Sequence, residues 1–363
     1  MPHRIIFRRP ARKTIALWLL LTWRLTALLS RPDPSNLRPP RAKILFMEDS
    51  SQKTRIYILL GPTAAGKSAI ALELADRAGA EIISIDSMQI YRGMDVGTAK
   101  PTAADRARVP HHLVDLREPW ESFSTAEYVR LADAAIGDVS GRGRIPLFVG
   151  GTALYVKSLL LGIFEGPSAD WRFRGELRRE AAEGGAEALH ARLAGVDPEA
   201  ARRIHPNDLR RIERALEIYH KTGSRPSDLR RQWAESIPRY DARLVGLRLP
   251  RALLLERIDK RIDAMIAAGW LAEVAGLLSN ERGLSREASQ ALGYTELAKV
   301  VSGEQSLEEA VAQIKLRTHR FAKAQMTWFK AFPGVFWVDA GLDDETCSLL
   351  DRIVAAFGLS GGR

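Results

Sequence analysis

The feature that most constrains the fold is a glycine-rich stretch between a short apolar run and a helical pattern. Arg55–Leu60 is apolar and rich in isoleucine, which predicts a buried strand. Gly61–Ser68 follows at once and reads GPTAAGKS, which matches G-x-x-x-x-G-K-S. Ala69–Ala78 predicts a helix. Strand, glycine-rich loop and helix in this order are the context of a P-loop, so we expect an α/β domain.

The P-loop residues suit a phosphate-bearing ligand. Gly61 and Gly66 let the backbone turn tightly, so that its N–H groups surround an anion. The helix N-terminus and Lys67 add positive charge, and the Ser68 hydroxyl can ligate Mg²⁺. The motif leaves open which phosphate ester binds and whether phosphoryl transfer occurs. The predicted diphosphate contacts are Gly61, Pro62, Thr63, Ala64, Ala65, Gly66, Lys67 and Ser68.

Two further strands end in polar residues. Glu81–Ile85 is followed by Asp86, and Arg144–Val149 by two glycines and Thr152. Ligands of open α/β sheets bind beyond the carboxyl ends of strands, so Asp86 is expected to face the P-loop. It could ligate magnesium, take a proton from a nucleophile, or cap a turn. Thr152 could cap helix Ala153–Leu161 or supply a site hydroxyl.

The rest of the chain predicts one doubly wound sheet with a helical insertion. Strands are expected at Leu244–Leu249 and Phe336–Asp339, and Arg251–Leu278 reads as one long amphipathic helical stretch. Helices are expected at Trp171–Glu183 and Gly185–Leu193. The domain prediction is a catalytic core at 47–166 plus 239–345, an all-helical insertion at 167–238 and a C-terminal tail at 346–363.

Net charge and cysteine content indicate less about function than the P-loop does. The net charge is +10, but residues 1–46 hold ten Lys/Arg and one acid, so the remaining chain carries +1. Arg24 interrupts the apolar run there, which argues against a signal peptide, and we expect the true start at Met47, with an organellar transit peptide as the alternative. The single Cys347 excludes an internal disulfide and predicts a cytoplasmic setting.

Local basic patches remain candidates for nucleic-acid contacts. Arg210, Arg211 and Arg214 share a broad helix face, which could grip a polyanion or form ion pairs, such as Arg210 with Glu213 or Glu217. The segment 315–330 is basic without acids and carries aromatic residues at its end, which suits RNA, although those aromatics could instead be core residues. Lys100 is a further candidate phosphate contact, but we expect it to be solvated.

Six strings in order along the chain resemble those of tRNA dimethylallyltransferases, also called tRNA isopentenyltransferases. They are GPTAAGKS (61–68), SIDSMQIYRGMDVGTAKP (84–101), VGGTALY (149–155), RIHPNDLRRIERALE (203–217), QALGYTEL (290–297) and AKAQMTWFK (322–330). The resemblance covers about residues 55–340. The fold it implies is a P-loop NTPase-like parallel sheet flanked by helices, with the helical insertion binding tRNA.

The resemblance also implies a reaction. Dimethylallyl diphosphate binds with its diphosphate in the P-loop, and N6 of the adenine 3′-adjacent to the anticodon attacks the allylic carbon. Asp86 matches the family's general base, Thr152 its hydroxyl near the leaving oxygen, and Arg261 a diphosphate clamp. Mg²⁺ is the implied cofactor, with Ser68 as its ligand. We expect a monomer that does not bind membranes.

The tRNA contacts implied by the resemblance lie at six places along the chain. They are Asp86, Ser87, Met88, Gln89, Thr152, Arg174, Arg210, Arg211, Ile212, Glu213, Arg214, Gln290, Ala291, Leu292, Gly293, Tyr294, Thr295, Lys323, Gln325, Trp328 and Lys330.

Ala324 and Lys330 stand where the family pattern has arginines, which is expected to reduce tRNA affinity and leave the chemistry in place. Two other functions compete: a P-loop small-molecule kinase and a non-catalytic RNA-binding module with a vestigial P-loop.

Overall fold

The computed structural model describes residues 53–163, 167, 169–234, 237–341 and 346–359. The predictions for residues 1–46 and for a start at Met47 lie outside these ranges. A single six-stranded sheet organises the described chain, with every neighbouring pair parallel and the order β3-β2-β4-β1-β5-β6. The strands are β1 (Arg55–Leu60), β2 (Ala80–Ile85), β3 (His111–His112), β4 (Ile145–Gly150), β5 (Asp241–Arg248) and β6 (Val335–Asp339).

Helices cover the sheet and build the insertion. Those of the described chain are α1 (Lys67–Ala78), α2 (Ala103–Arg108), α3 (Thr125–Gly141), α4 (Ala153–Leu161), α5 (Trp171–Val196), α6 (Pro198–Arg203), α7 (Leu209–Thr222), α8 (Pro226–Ala234), α9 (Arg251–Ala267), α10 (Trp270–Leu278), α11 (Tyr294–Val301), α12 (Leu307–Lys330) and α13 (Thr346–Phe357). A short 3₁₀ turn spans Ala288–Gln290.

The central strands β1, β2 and β4 are largely buried on both faces, as is usual for a parallel sheet covered by helices. Every residue of β2 is buried, and in β1 only Arg55 is exposed. The apolar runs seen in the sequence therefore become the centre of the main core. The predicted P-loop α/β architecture is confirmed, and five of the six strands were predicted within a few residues of their ends.

Two local features were not predicted correctly. The two-residue strand β3 was missed, because it is too short to show any periodicity. The stretch 251–278 is two helices, not one, because Gly269 adopts a φ of 96° between α9 and α10. That left-handed conformation is open to glycine at little cost and cannot continue a right-handed helix.

The insertion has a hydrophobic cluster of its own, separate from the core around the sheet. Phe173 and Leu177 of α5 pack in it with Leu193, Ile212 and Leu216. The break expected between 183 and 185 is present, since Gly185 has non-helical angles inside α5.

The segment 346–363, predicted only as a C-terminal tail, contains α13. Its Leu350 and Ile353 are buried, and Phe357 meets Tyr57 of β1 edge to face at 5.5 Å between ring centroids. Within the described ranges, no helix is both long and apolar enough to cross a bilayer.

Candidate active site

Three loops meet at the carboxyl edge of the sheet. Strands β2, β4 and β1 are neighbours, and their last residues pair as Ile85 with Gly150 and Leu60 with Gly150. The P-loop, Asp86 and the Gly151–Thr152 turn therefore begin side by side, as the strand-end argument predicted.

The P-loop has the conformation that its glycines allow. Gly61 has a φ of 154° and Gly66 a φ of 89°, and Ala64 also takes a positive φ of 62°. A Cβ on Gly61 would lie 3.2 Å from the carbonyl oxygen of Leu247, so a side chain there would press on β5. Gly66 offers no side-chain cap to α1, which leaves the first amides of that helix open toward an anion.

Two adjoining cavities lie at this edge. The first, of about 170 Å³, is lined by the polar P-loop residues Lys67 and Ser68. The second, of about 360 Å³, has apolar walls that include Ile262, Met265 and Leu292. Seven residues line both cavities: Thr63, Asp86, Thr98, Gly151, Arg261, Phe321 and Gln325. The site therefore has one half that holds the P-loop cation and hydroxyl and a second half with more apolar side chains, and they share a wall.

Asp86 stands in that shared wall. Its Oδ1 accepts hydrogen bonds from the amides of Met88 at 2.8 Å and Gln89 at 3.3 Å, so it does organise the following turn. Burial raises the pKa of the Asp86 carboxyl above its ordinary value, while those two amides and the charges of Lys67 and Arg261 limit the rise. A carboxylate with a raised pKa is a better proton acceptor, so the turn-capping and general-base interpretations coexist.

Two cations face Asp86 from different elements. Lys67 begins α1, and its Nζ donates to the carbonyl oxygen of Pro62 at 2.8 Å. Burial lowers the pKa of Lys67 to about 7, helped by the positive charge of Arg261. Arg261 of α9 makes no hydrogen bond or ion pair among the described residues, and burial lowers its pKa as well. Two desolvated cations beside one cavity create a strong demand for an anion.

Thr152 does not cap α4 with its side chain. Instead, its Oγ1 accepts a hydrogen bond from the amide of Ser87 at 3.3 Å, beside Asp86 in the second cavity. The hydroxyl hydrogen remains available to donate. The site-hydroxyl interpretation is therefore compatible with the geometry, and simple capping is not.

The donor set for magnesium is small but suitable. Ser68 is exposed and lines the first cavity together with Asp86. Among the described residues, no three His, Cys, Asp or Glu side chains cluster as a metal site would require. Mg²⁺ typically takes one or two protein oxygens and completes its shell with water and substrate phosphates, so the Ser68 hydroxyl fits this mode without a carboxylate ligand.

The prediction that Lys100 is solvated is wrong. It is buried, and its Nζ donates to Asp95 at 2.5 Å, Asp115 at 2.6 Å and the carbonyl oxygen of Tyr91 at 2.6 Å. All its donors are thus used inside the protein. Lys100 is neither solvated nor free for a phosphate; it fixes the 91–101 loop.

Hydrogen bonds to Glu273 hold the same 91–101 loop against α10. The carboxylate of Glu273 accepts from the amides of Asp95 and Val96 at 2.7 Å, from that of Gly97 at 3.2 Å, and from the Tyr294 hydroxyl at 2.7 Å. Local sequence patterns do not predict these contacts, because the partners lie far apart along the chain.

The predicted contacts in 290–295 divide by exposure. Gln290 and Thr295 are exposed, whereas Ala291, Gly293 and Tyr294 are buried, and Leu292 is half-buried. Gly293 packs on Trp270, whose ring a Cβ there would overlap. Only part of this segment is therefore open to a partner, while Leu292 and Tyr294 form walls of the second cavity.

In the insertion, buried glutamates organise the arginines. Glu217 is fully buried, and it accepts hydrogen bonds from Arg174 at 2.7 Å, Arg214 at 2.5 Å and the amide of Asp170 at 2.6 Å. Glu213 is buried against Arg178. The ion-pair alternative therefore holds for Arg214 with Glu217 and for Arg211 with Asp208 at 3.4 Å, whereas the described residues show no pair of Arg210 with Glu213 or Glu217.

This arrangement decides which predicted contacts are open. Arg210 and Arg211 are exposed on α7, whereas Ile212 is fully buried in the insertion's cluster and Glu213 is buried beneath the surface. The side chains of Ile212 and Glu213 cannot touch RNA in this conformation. They support the helix that presents the two arginines.

Helix α12 runs from the cavities to the surface. Lys323, Trp328 and Lys330 are exposed, whereas Phe329 is fully buried. Phe329 is thus a core residue, as one alternative had it, whereas the RNA contact predicted for Trp328 stays a prediction. Phe321 was not predicted as a site residue, although it lies four residues before Gln325 and lines both cavities with it. Four-residue spacing on one helix face was the signal that could have found it.

Comparison with known protein families gives two matches. The model described as IPP transferase matches residues 89–332, and that described as isopentenyl transferase matches residues 54–118. A tRNA dimethylallyltransferase of Anaeromyxobacter dehalogenans is 49% identical over 80% of this chain and 97% of its own length. One of Symbiobacterium thermophilum is 50% identical over 79% of this chain and 90% of its own length.

Solved structures similar to this chain come from the same family. The tRNA isopentenylpyrophosphate transferase of Staphylococcus epidermidis is 36% identical, with a TM-score of 0.62 over 84% of this chain and 99% of its own. A eukaryotic dimethylallyltransferase captured acting on tRNA is 27% identical, with a TM-score of 0.71 over 84% of this chain and 78% of its own. These similarities favour prenyl transfer over the kinase interpretation.

Proposed function

Because this chain belongs to the IPP transferase family of tRNA dimethylallyltransferases, we propose that it transfers a dimethylallyl group from dimethylallyl diphosphate to N6 of the adenine 3′-adjacent to the anticodon. The observation that carries the proposal is the pair of cavities that share Asp86. One cavity suits an anionic donor, and the other suits a base.

The first cavity holds the diphosphate. P-loop amides, the Lys67 ammonium and the Arg261 guanidinium surround it with donors and positive charge. These charges act most strongly on the departing diphosphate, because negative charge grows there as the allylic C–O bond breaks. Bound at Ser68, Mg²⁺ would neutralise part of that charge.

The second cavity receives the adenine. The N6 lone pair forms the new C–N bond at the allylic carbon, and the electron pair of the broken C–O bond leaves with the diphosphate. A proton must then leave N6, and Asp86 lies in the shared wall to accept it. Thr152 lines the same cavity as Asp86 and keeps its hydroxyl hydrogen free, which supports its role as the hydroxyl that donates to the leaving oxygen. The apolar walls exclude water, which would otherwise capture the allylic cation.

The rate should depend on pH through Asp86. Its pKa is raised by burial, and only the ionised carboxylate can accept the proton. Turnover is therefore expected to fall on the acidic side at a higher pH than an exposed aspartate would give.

The tRNA is expected to lie across α7 and α12. Arg210 and Arg211 can meet backbone phosphates, and Lys323 and Lys330 add charge at the other side. Trp328 is 44% exposed, which suits stacking on an unpaired base. An adenine must leave its stack to reach Asp86, so grip on both flanks of the anticodon loop is useful.

The leaving group tests the proposal. The protein would be incubated with Mg²⁺, tRNA and dimethylallyl diphosphate, and in parallel with ATP in place of the donor. Diphosphate release that requires tRNA supports the assignment. Transfer or hydrolysis of the ATP γ-phosphate, without release of diphosphate from the prenyl donor, would support a kinase instead.

A further inference from the structure

Gln325 of α12 joins two loops of the active site. Its Oε1 accepts a hydrogen bond from the amide of Thr63 in the P-loop at 2.9 Å. Its Nε2 donates to the carbonyl oxygen of Gly151 at 3.0 Å. The residue is 6% exposed, and its amide thus serves two internal partners. The resemblance assigned Gln325 to tRNA, but its oxygen and one of its two N–H donors are engaged within the protein, and the side chain is buried.

The contact lies just where the sheet stops connecting these loops. The last paired residues of β1 and β4 are Leu60 and Gly150. Thr63 and Gly151 lie past that point, so no strand pairing holds them together. The Gln325 amide continues the connection by one side chain.

The surroundings are built for this side chain. A Cβ on Gly151 would overlap the Gln325 Nε2, so residue 151 must be glycine while Gln325 keeps its place. Gln325 also lines both cavities, together with Asp86 and Arg261. Its position therefore affects the donor half and the acceptor half at once.

We propose that Gln325 is a positioning residue that holds the P-loop in register with the Gly151–Thr152 turn and transmits the docking of tRNA on α12 to the diphosphate site. The second part rests on the proposed function, since it takes Lys323 and Trp328 as tRNA contacts. These exposed residues lie on the same helix, within one turn of Gln325. A shift of α12 on docking reaches Thr63 through a single hydrogen bond.

The linkage is testable, because coupling between two sites is reciprocal in binding free energy. The dissociation constant of a non-reactive dimethylallyl thiodiphosphate, with Mg²⁺, would be measured by calorimetry with and without an anticodon stem-loop RNA. In the wild-type protein we expect the RNA to tighten binding by about 5-fold or more, the lower end of usual coupling. If the wild-type dissociation constant for the donor analogue is the same with and without the RNA, the proposed coupling is refuted.

Gln325→Ala removes the two hydrogen bonds that connect Thr63 and Gly151 through this side chain. Without RNA, we expect donor binding to weaken about tenfold, the usual effect of losing a hydrogen bond to a buried amide. With RNA, the coupling should fall to about 1 while the RNA dissociation constant measured without donor stays near the wild-type value. A variant with wild-type donor affinity and wild-type coupling overturns the proposal.

The matched control is Gln313→Ala, which removes the same side chain from an exposed position on the same helix. It should leave donor affinity and coupling unchanged. Gly151→Ala displaces the Gln325 amide without altering Gln325, so it should repeat the loss. Urea melts identify any variant that fails to fold, and either of the two active-site variants suffices for the test.

The two proposals fail separately. If the wild-type protein transfers no dimethylallyl group to RNA, the proposed function fails. The donor affinity of Gln325→Ala and of the wild type without RNA still tests whether Gln325 positions the P-loop. If transfer occurs and Gln325→Ala binds the donor with wild-type affinity and wild-type coupling, only the positioning role of Gln325 is refuted.

Discussion

The buried Glu217 is the strongest electrostatic feature of the insertion, and replacing it with glutamine has a calculable effect. Burial by itself raises the pKa of this carboxyl, but hydrogen bonds from Arg174, the Asp170 amide and Arg214 outweigh it and lower the pKa to about 2. The side chain is fully buried, so solvent screens these bonds little. A fall from 4.5 to about 2, at about 1.4 kcal/mol per pKa unit, corresponds to about 3 kcal/mol of stability.

The pH dependence follows from the direction of the change. Because folding lowers the pKa, the stabilisation is fully present above the unfolded value near 4.5 and is lost as the pH falls toward 2. Glutamine has nearly the shape of protonated glutamate and carries no charge. Glu217→Gln should therefore cost about 3 kcal/mol at pH 7 and progressively less below pH 4.5.

Urea unfolding of the wild type and Glu217→Gln at several pH values between 7 and 3 measures this difference, with amide exchange in α7 to report on the insertion itself. Glu256→Gln is the matched control, since Glu256 is exposed and pairs with Lys260 within one helix. It should change stability little at any pH. A Glu217→Gln penalty that is the same at pH 7 and pH 3 would refute the linkage.

Three further outcomes follow from the site. Asp86→Ala should lower single-turnover transfer by about 10²–10⁴ while sparing tRNA binding by filter assay, and equal losses in both would contradict its role as a base. Lys67→Ala should weaken donor binding in calorimetry. We also expect wild-type affinity to fall as pH rises through about 7, where Lys67 loses its proton, and this fall should be absent in Lys67→Ala; an unchanged dissociation constant counts against the site. Gly97→Ala should lower stability in thermal melts by about 1–3 kcal/mol, because its Cβ would overlap Trp270, whereas Gly137→Ala, in open space within α3, should be neutral or raise stability slightly; equal effects would exclude the overlap.

Local sequence patterns were sufficient for the framework of the site. The P-loop was recognisable because all its parts, strand, glycines and helix, lie within 24 consecutive residues, 55–78. Asp86 and Thr152 were placed correctly because parallel strands bring their carboxyl ends to one edge, and periodicity identified the strands.

What the sequence could not predict depended on distant partners. Lys100 was expected to be solvated because a lysine usually is, but the irregular loop folds back, so that the Tyr91 carbonyl and Asp115, 9 and 15 residues away, accept its hydrogen bonds. Gln325 meets Thr63 and Gly151, which lie 262 and 174 residues away. No local periodicity encodes such contacts, because they arise only when the helices pack on the sheet.

The measurement that tests the central claim most directly is the position of the transferred group. Protein, Mg²⁺ and labelled dimethylallyl diphosphate would be incubated with unmodified tRNA, and the RNA digested to nucleosides. We predict label on N6 of the adenine next to the anticodon, and none on a tRNA with another base there. Absence of label from the tRNA, in a preparation that binds both substrates, would contradict the assignment of the two cavities.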